Sequence, residues 1–229
     1  MSFNYSPKIV TDNLILCLDG ANRQSYVSGS TIWNDISTKL NTVTLLNGPT
    51  YTTSNNGSIV FDGVDDYGTI PYNSDFDLSD GNYTLEGWFN SNDFNNPQSL
   101  ISKDTWGINF DWALYIHNAT TLIFYSNGTT TNVTATVPTM ATGKWYHYVV
   151  TSISGVVSIY LNSVLYNSNN MTTSNNSQFY VTVGITGWNN PNFFTNGKIP
   201  ILRIYKRGLT SAEVSQNYNA IKPRFSWVV

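Results

Sequence analysis

Tyr83-Thr84-Leu85-Glu86-Gly87-Trp88-Phe89 alternates throughout: Tyr83, Leu85, Gly87 and Phe89 fall on one side of an extended chain, and Thr84, Glu86 and Trp88 on the other. Successive side chains of a strand point to opposite faces, so this heptapeptide predicts a β-strand. The same reading extends in both directions. Upstream, residues 14–18 form an unbroken apolar run, as a strand buried on both faces requires, and residues 58–61 end at the turn pair Asp62-Gly63. Downstream, residues 113–116 and 121–125 flank residues 117–120 as a hairpin. Residues 145–152 lead through Ile153-Ser154-Gly155 into residues 156–161, and Asn162-Ser163 turns the chain into residues 164–166. Residues 180–185 and 199–205 complete the series. Residues 167–177, rich in Asn, Ser and Thr, read as a long loop. Short strands at regular spacing with almost no helical period predict an all-β protein, a sandwich or a barrel.

One helix stands out. Thr210-Ser211-Ala212-Glu213 fits a capping box, with Leu209 and Val214 placed as a hydrophobic staple around it. It predicts a short helix over 210–220, stopped before Pro223. No linker or shift of composition divides the chain, so residues 1–229 read as one domain with an arm at 1–12 and a tail at 221–229.

Composition narrows the partners. Only 11% of residues are charged, against roughly 25% in an average globular protein, and the formal net charge is −3. Arg203, Lys206 and Arg207 form the densest basic group, too small to hold a phosphate backbone or an anionic membrane surface. No run approaches the roughly 18 apolar residues of a membrane span. Cys17 is the single cysteine and lies in an apolar run, so a buried free thiol is expected, with no disulfide framework. Residues 1–7 lack a basic segment followed by an apolar one, so no signal peptide is read and folding in a cytoplasm is expected.

Several segments together resemble the laminin-G-like jelly rolls of the concanavalin A-like lectin/glucanase superfamily. They are Leu16-Cys17-Leu18-Asp19-Gly20-Ala21-Asn22 with Ser25-Tyr26, Trp33-Asn34-Asp35-Ile36-Ser37, Ile59-Val60-Phe61-Asp62-Gly63-Val64-Asp65-Asp66-Tyr67, the heptapeptide at 83–89, Gly143-Lys144-Trp145-Tyr146-His147-Tyr148-Val149-Val150, and Asn196-Gly197-Lys198-Ile199 with Arg203-Ile204-Tyr205. The resemblance implies a jelly-roll β-sandwich of two antiparallel sheets with a short C-terminal helix. The short lead Tyr5-Ser6-Pro7-Lys8-Ile9-Val10 before one jelly roll, and the tail after it, are similar to stand-alone virion proteins of tailed phages, cyanophages especially. That likeness implies a non-catalytic structural protein of the virion, assembled in the host cytoplasm as a capsid decoration or tail-fibre component. Its partners would be other virion proteins and further copies of itself, with Phe3 and Tyr5 of the arm as anchors. The alternative is a carbohydrate-binding adhesin module for host surface glycans, and a glycoside hydrolase is the third reading.

The residues weigh these readings. A retaining glycosidase needs two carboxylates about 5–5.5 Å apart. The chain has two glutamates: Glu213 is explained by the helix cap, and Glu86 has Asn90 and Asn92 rather than an acid at the next positions on its face. Glu86 is therefore expected to be a solvated or salt-bridged sheet residue, and no residue is assigned a catalytic role. His117 and His147 stand alone. For carbohydrate or a partner protein, the aromatic candidates are Trp88, Trp106, Trp112, Trp188, Phe193 and Phe194. The loop bearing the last three packs on the core, forms an interface or holds a sugar. Asp62, Asp65 and Asp66 are the candidate ligands for calcium, which takes carboxylate oxygens, or else turn-forming aspartates.

Overall fold

The computed structural model describes residues 8–79, 81–105, 109–126, 131–171, 178–186 and 193–225. Sixteen strands form among them: Leu14–Asp19 (β1), Ile32–Trp33 (β2), Val43–Leu46 (β3), Thr50–Thr52 (β4), Ser58–Asp62 (β5), Tyr67–Ile70 (β6), Tyr83–Ser91 (β7), Gln98–Thr105 (β8), Asn109–Asn118 (β9), Thr121–Ser126 (β10), Thr131–Thr136 (β11), Trp145–Ile153 (β12), Val156–Leu161 (β13), Val164–Asn170 (β14), Tyr180–Val183 (β15) and Asn196–Tyr205 (β16). Helix Ser211–Ile221 (α1) follows. The strands build two sheets. One runs β14-β13-β12-β7-β16-β5-β4, with β1 also on β16; the other runs β11-β10-β9-β8-β15-β6-β3-β2. Their pairs are antiparallel, as in β7 with β12 and β8 with β9, so the expected all-β sandwich with a short C-terminal helix is the observed architecture.

Strand β7 sits at the middle of the first sheet, between β12 and β16. The strand forms as its alternation predicts, and the Tyr83 side is the inner face. Tyr83, Leu85 and Phe89 enter the core between the sheets, where they meet Trp112, Leu114 and Phe124 of the second sheet. Gly87 takes the remaining inner position because Tyr148 occupies the space. A Cβ there would lie 2.6 Å from the Tyr148 Cζ and 2.8 Å from the Ile201 carbonyl oxygen. Burying this apolar surface, at about 25 cal/mol per Å², is the main force joining the layers.

The two tight hairpins form as read. Ser154 and Gly155 have φ of 51° and 81°, and Asn162 and Ser163 have φ of 50° and 65°. Positive φ at both central residues is what a two-residue hairpin turn needs to match strand twist. The expected long loop is shorter at its start, because β14 continues through Asn167–Asn170. Ser168 pairs with Ser158 and Asn170 with Val156. An edge strand tolerates this polar run, since its side chains face solvent while its backbone completes a ladder. Residues 172–177 of that stretch lie outside the described residues.

The capping box of α1 is complete. Thr210 Oγ1 accepts from the Glu213 N–H, and Glu213 Oε2 accepts from the Thr210 N–H at 2.9 Å. Leu209 and Val214 are both buried. Hydrogen bonds from Arg207 hold the Glu213 carboxyl down at about 2. Thr210→Ala removes the cap, and urea denaturation should show a loss of about 1 kcal/mol.

Candidate functional site

The outer face of the first sheet is covered. Helix α1 presents Val214, Tyr218 and Ile221 to it at i, i+4 and i+7. Beneath the helix, Glu86 is buried in a polar network. Its Oε1 lies 3.2 Å from Arg203 Nη1 and 3.0 Å from His147 Nε2, and its Oε2 accepts from Asn217 Nδ2 at 2.7 Å. Asn217 Nδ2 also donates to the Tyr205 hydroxyl, and Asn217 Oδ1 accepts from the Val10 N–H. Of the two expectations for Glu86, the salt-bridged one holds and the solvated one does not. Burial pushes its carboxyl up, but the Arg203 charge and the His147 and Asn217 contacts prevail and bring it down to about 2.

Two of the aromatic candidates are buried, and one of them, Trp112, is corrected by its place in the core. Trp88 is buried, with Tyr218 stacked on it at 5.6 Å and Phe225 at 4.6 Å. It faces outward from the sheet, but the helix and the C-terminal turn lie on top. Arg224 pins that turn by pairing with Asp19 at 2.7 Å. Trp112 points the other way, into the core, and its Nε1 donates to the Phe76 carbonyl at 3.2 Å. The Trp112 ring therefore offers no surface to a ligand, whereas Trp88 still lines a small cleft of about 170 Å³ with Trp145, Tyr218 and Phe225.

Phe193 and Phe194 are half-buried. Phe193 packs on Tyr115, whose ring stacks on Tyr125 at 5.4 Å, on the outer face of the second sheet. Trp106 and Trp188, like Phe3 and Tyr5, lie outside the described residues. His117 is exposed at the end of β9, and Cys17 is a buried free thiol.

The three aspartates come together, their carboxylates within 4.8 Å of one another. Asp62 Oδ1 accepts from the Val64 and Asp65 N–H groups, and Asp66 Oδ2 accepts from the Asp62 N–H. These bonds close the turn between β5 and β6, which is the turn-forming role weighed against calcium. Burial, and then the charges of Asp62 and Asp65, push the Asp66 carboxyl up. Those hydrogen bonds engage Asp62 Oδ1 and Asp66 Oδ2, and the three carboxylates are close enough together to hold a calcium ion as well.

Beside this turn lies a cleft of about 480 Å³, lined by residues 26, 28–31 and 45–51. That volume falls in the range of small-ligand sites, roughly 300–1,000 Å³. Three chain segments build it. After β1, Asp19 and Asn22 turn the chain: Asp19 Oδ1 accepts from the Ala21 N–H, and Ser25 and Tyr26 both donate to the Asn22 carbonyl. Asp35 then staples the following loop to β1 by accepting from the Cys17, Ser37 and Asn41 N–H groups at 2.8 Å. On the other side Asn47 and Gly48, at φ of 68° and 109°, reverse the chain between β3 and β4. At the rear Gly57, at φ 125°, lets the backbone approach so closely that a Cβ would lie 2.5 Å from the Gly20 carbonyl oxygen. The Tyr51 hydroxyl donates to that same carbonyl at 3.1 Å.

The cleft has an apolar floor and a polar rim. Tyr26 is buried against Tyr51, ring to ring at 5.1 Å, and Leu45 lies beneath. Tyr51 is half-buried, and Ser28, Thr31, Asn47 and Thr50 are exposed around it. Asn47 Nδ2 donates to the Asp65 carbonyl at 2.9 Å, which joins the rim to the acidic turn. Neither tyrosine was singled out from the sequence as a site residue. The available signal was the turn Asn47-Gly48-Pro49 leading directly into Thr50-Tyr51-Thr52.

The model of the family described as the concanavalin A-like lectin/glucanases superfamily matches residues 62–215 of the 229. No curated protein matches the sequence. Among solved structures, the chain is similar to domain 4 of AbnA, a GH43 extracellular arabinanase from Geobacillus stearothermophilus, in complex with arabinotriose. The TM-score is 0.70 at 16% identity, over 91% of this chain and 100% of that one. It is similar also to botulinum neurotoxin type C, whose cell entry depends on interaction with two ganglioside molecules (TM-score 0.72, 15% identity, 93% and 52% covered). A third is Trypanosoma rangeli sialidase in complex with sialic acid (TM-score 0.68, 14% identity, 93% and 33% covered). The chain thus spans the whole of the arabinanase domain, about half of the toxin chain and a third of the sialidase chain. At these identities the likeness is one of fold.

Proposed function

The chain belongs to the laminin-G-like group of the concanavalin A-like lectin/glucanases superfamily, and from that premise we propose that it is a non-catalytic carbohydrate-binding module. The observation that carries the reading is the cleft at Tyr26 and Tyr51. A sugar offers apolar C–H faces ringed by hydroxyls, and its site needs an aromatic face with hydrogen-bonding groups around it. Tyr51 supplies the face. The hydroxyls of Ser28, Thr31 and Thr50 line the same cleft and make no hydrogen bond among the described residues. The arabinanase domain and the ganglioside-dependent toxin lend support as relatives in fold.

The fate of the two glutamates supports the non-catalytic part. Glu86 is sealed under α1 with both carboxylate oxygens engaged, and Glu213 is held by Arg207 and the Thr210 cap. Neither can protonate a glycosidic oxygen in a cleft. The virion structural role, with capsid or tail proteins as partners, rests on the sequence resemblance and stands second to carbohydrate binding. A phage particle would be a natural carrier for such a module, and mass spectrometry of purified particles tests that placement.

A glycan array read with wild type, Tyr51→Ala and Tyr51→Phe tests the function. Wild type should bind at least one class of oligosaccharide. Tyr51→Ala should lose at least about tenfold in affinity, equivalent to about 1.4 kcal/mol. Tyr51→Phe keeps the ring and should keep most of the binding. No wild-type binding to any glycan, or full affinity in a folded Tyr51→Ala protein, overturns the proposal.

A further inference from the structure

We infer that the Tyr26–Tyr51 cleft selects uncharged glycans and turns away acidic ones such as sialylated or uronate-bearing chains. The inference rests on the carbohydrate reading above and concerns the chemistry of the same site. None of the residues lining the cleft is charged: they are tyrosine, serine, threonine, leucine, asparagine, glycine and proline. An anionic sugar would therefore meet hydroxyls and an amide but no ammonium or guanidinium to replace the water lost from its carboxylate. Burying a charge without a partner is costly, whereas a neutral hydroxyl exchanges one hydrogen bond for another.

The surroundings add repulsion. The Asp62, Asp65 and Asp66 turn abuts the rim, through the Asn47 bond to Asp65 and through Gly48, where a Cβ would sit 3.9 Å from Asp66 Oδ1. Asp62 and Asp65 are exposed, so they present negative charge beside the rim. Arg224 reaches the backbone behind Tyr51 by donating to Gly57, but its charge is spent on Asp19. Arg23, on the same loop as Tyr26, is not among the lining residues. The chain as a whole adds a net charge of −3.

The test uses matched pairs of oligosaccharides that differ by one carboxylate, titrated at low salt into the full chain. The quantity read is the affinity that Tyr51→Ala abolishes. The neutral member of each pair should bind about threefold or more tightly than its acidic partner, and the gap should shrink at high salt. Asp65→Asn should narrow it as well. Asp65 is the variant of choice because its side chain makes no hydrogen bond among the described residues, whereas those of Asp62 and Asp66 do. Tyr51-dependent binding of the acidic member at equal or higher affinity overturns the inference and leaves the carbohydrate reading standing. Absence of Tyr51-dependent binding to either member overturns both.

Discussion

Glu86→Gln should destabilise the protein by about 3–5 kcal/mol at neutral pH, the cost of stranding a buried charge. Arg203 is 2% exposed and lies within reach of Glu86 in the network under α1. The amide keeps the shape but removes the counter-charge, so the guanidinium is left buried and unpaired. The carboxylate's own titration gives a figure of similar size. Its value falls from the ordinary 4.5 to about 2, which at 1.36 kcal/mol per unit is about 3 kcal/mol. A depressed carboxylate contributes stability that is fully present above its unfolded value and is lost as pH falls through the folded one. Wild type should therefore lose stability between about pH 4.5 and 2, and Glu86→Gln should show a flatter profile over that window. Urea denaturation of both proteins at pH 7 and pH 3 checks this. A loss below about 1 kcal/mol at pH 7 would mean that Arg203 finds another partner or reaches water.

Trp112→Ala should be comparably damaging, at about 3–5 kcal/mol for a large aromatic removed from a packed core. Trp112 has no exposed surface, packs between the sheets and spends its indole N–H on Phe76. The cavity left behind cannot be filled without moving β8, β9 and β10, which flank it. The variant also separates the two roles considered for this residue. Ligand affinity per folded molecule should be unchanged, because Trp112 does not line the cleft. Selective loss of binding with stability intact would restore it as a contact residue.

Much of the fold is legible along the chain because it is local. The alternation of 83–89, the left-handed turns at Ser154-Gly155 and Asn162-Ser163, and the Thr210–Glu213 cap each depend on a few neighbouring residues. The strands that escape such reading are short or polar and take their meaning from remote partners. β3 lies on β6, and β6 lies between β3 and β15. Trp88 shows the same limit from another side. The alternation sets it on the face opposite Tyr83 and Leu85, but what covers that face depends on α1 and Phe225, more than a hundred residues away. The apolar spacing of Val214, Tyr218 and Ile221 was the one local hint that the helix lies on that face.

The site was less legible than the fold because it belongs to no single segment. Tyr26 stands on the loop after β1, and Asn47 and Tyr51 stand on the β3–β4 turn and on β4; the two segments meet where Asp35 pins the first loop to β1 and Gly57 admits the close approach of the rear wall. By contrast, the aspartates at 62, 65 and 66 are visible in the sequence because one turn holds them. Their use as turn formers is consistent with Asp preference in such positions. Their position beside the cleft is a tertiary fact.

Under the carbohydrate-binding proposal, this face of the sandwich holds a sugar at Tyr51. The measurement that meets it most directly is a backbone amide NMR titration of the full chain with the best oligosaccharide from the array. Perturbations should concentrate at Ser28–Thr31, Asn47, Thr50 and Tyr51, with little change at Tyr115, Tyr125 or Phe193. Perturbations centred on Tyr125 and Phe193, with the cleft silent, would contradict it.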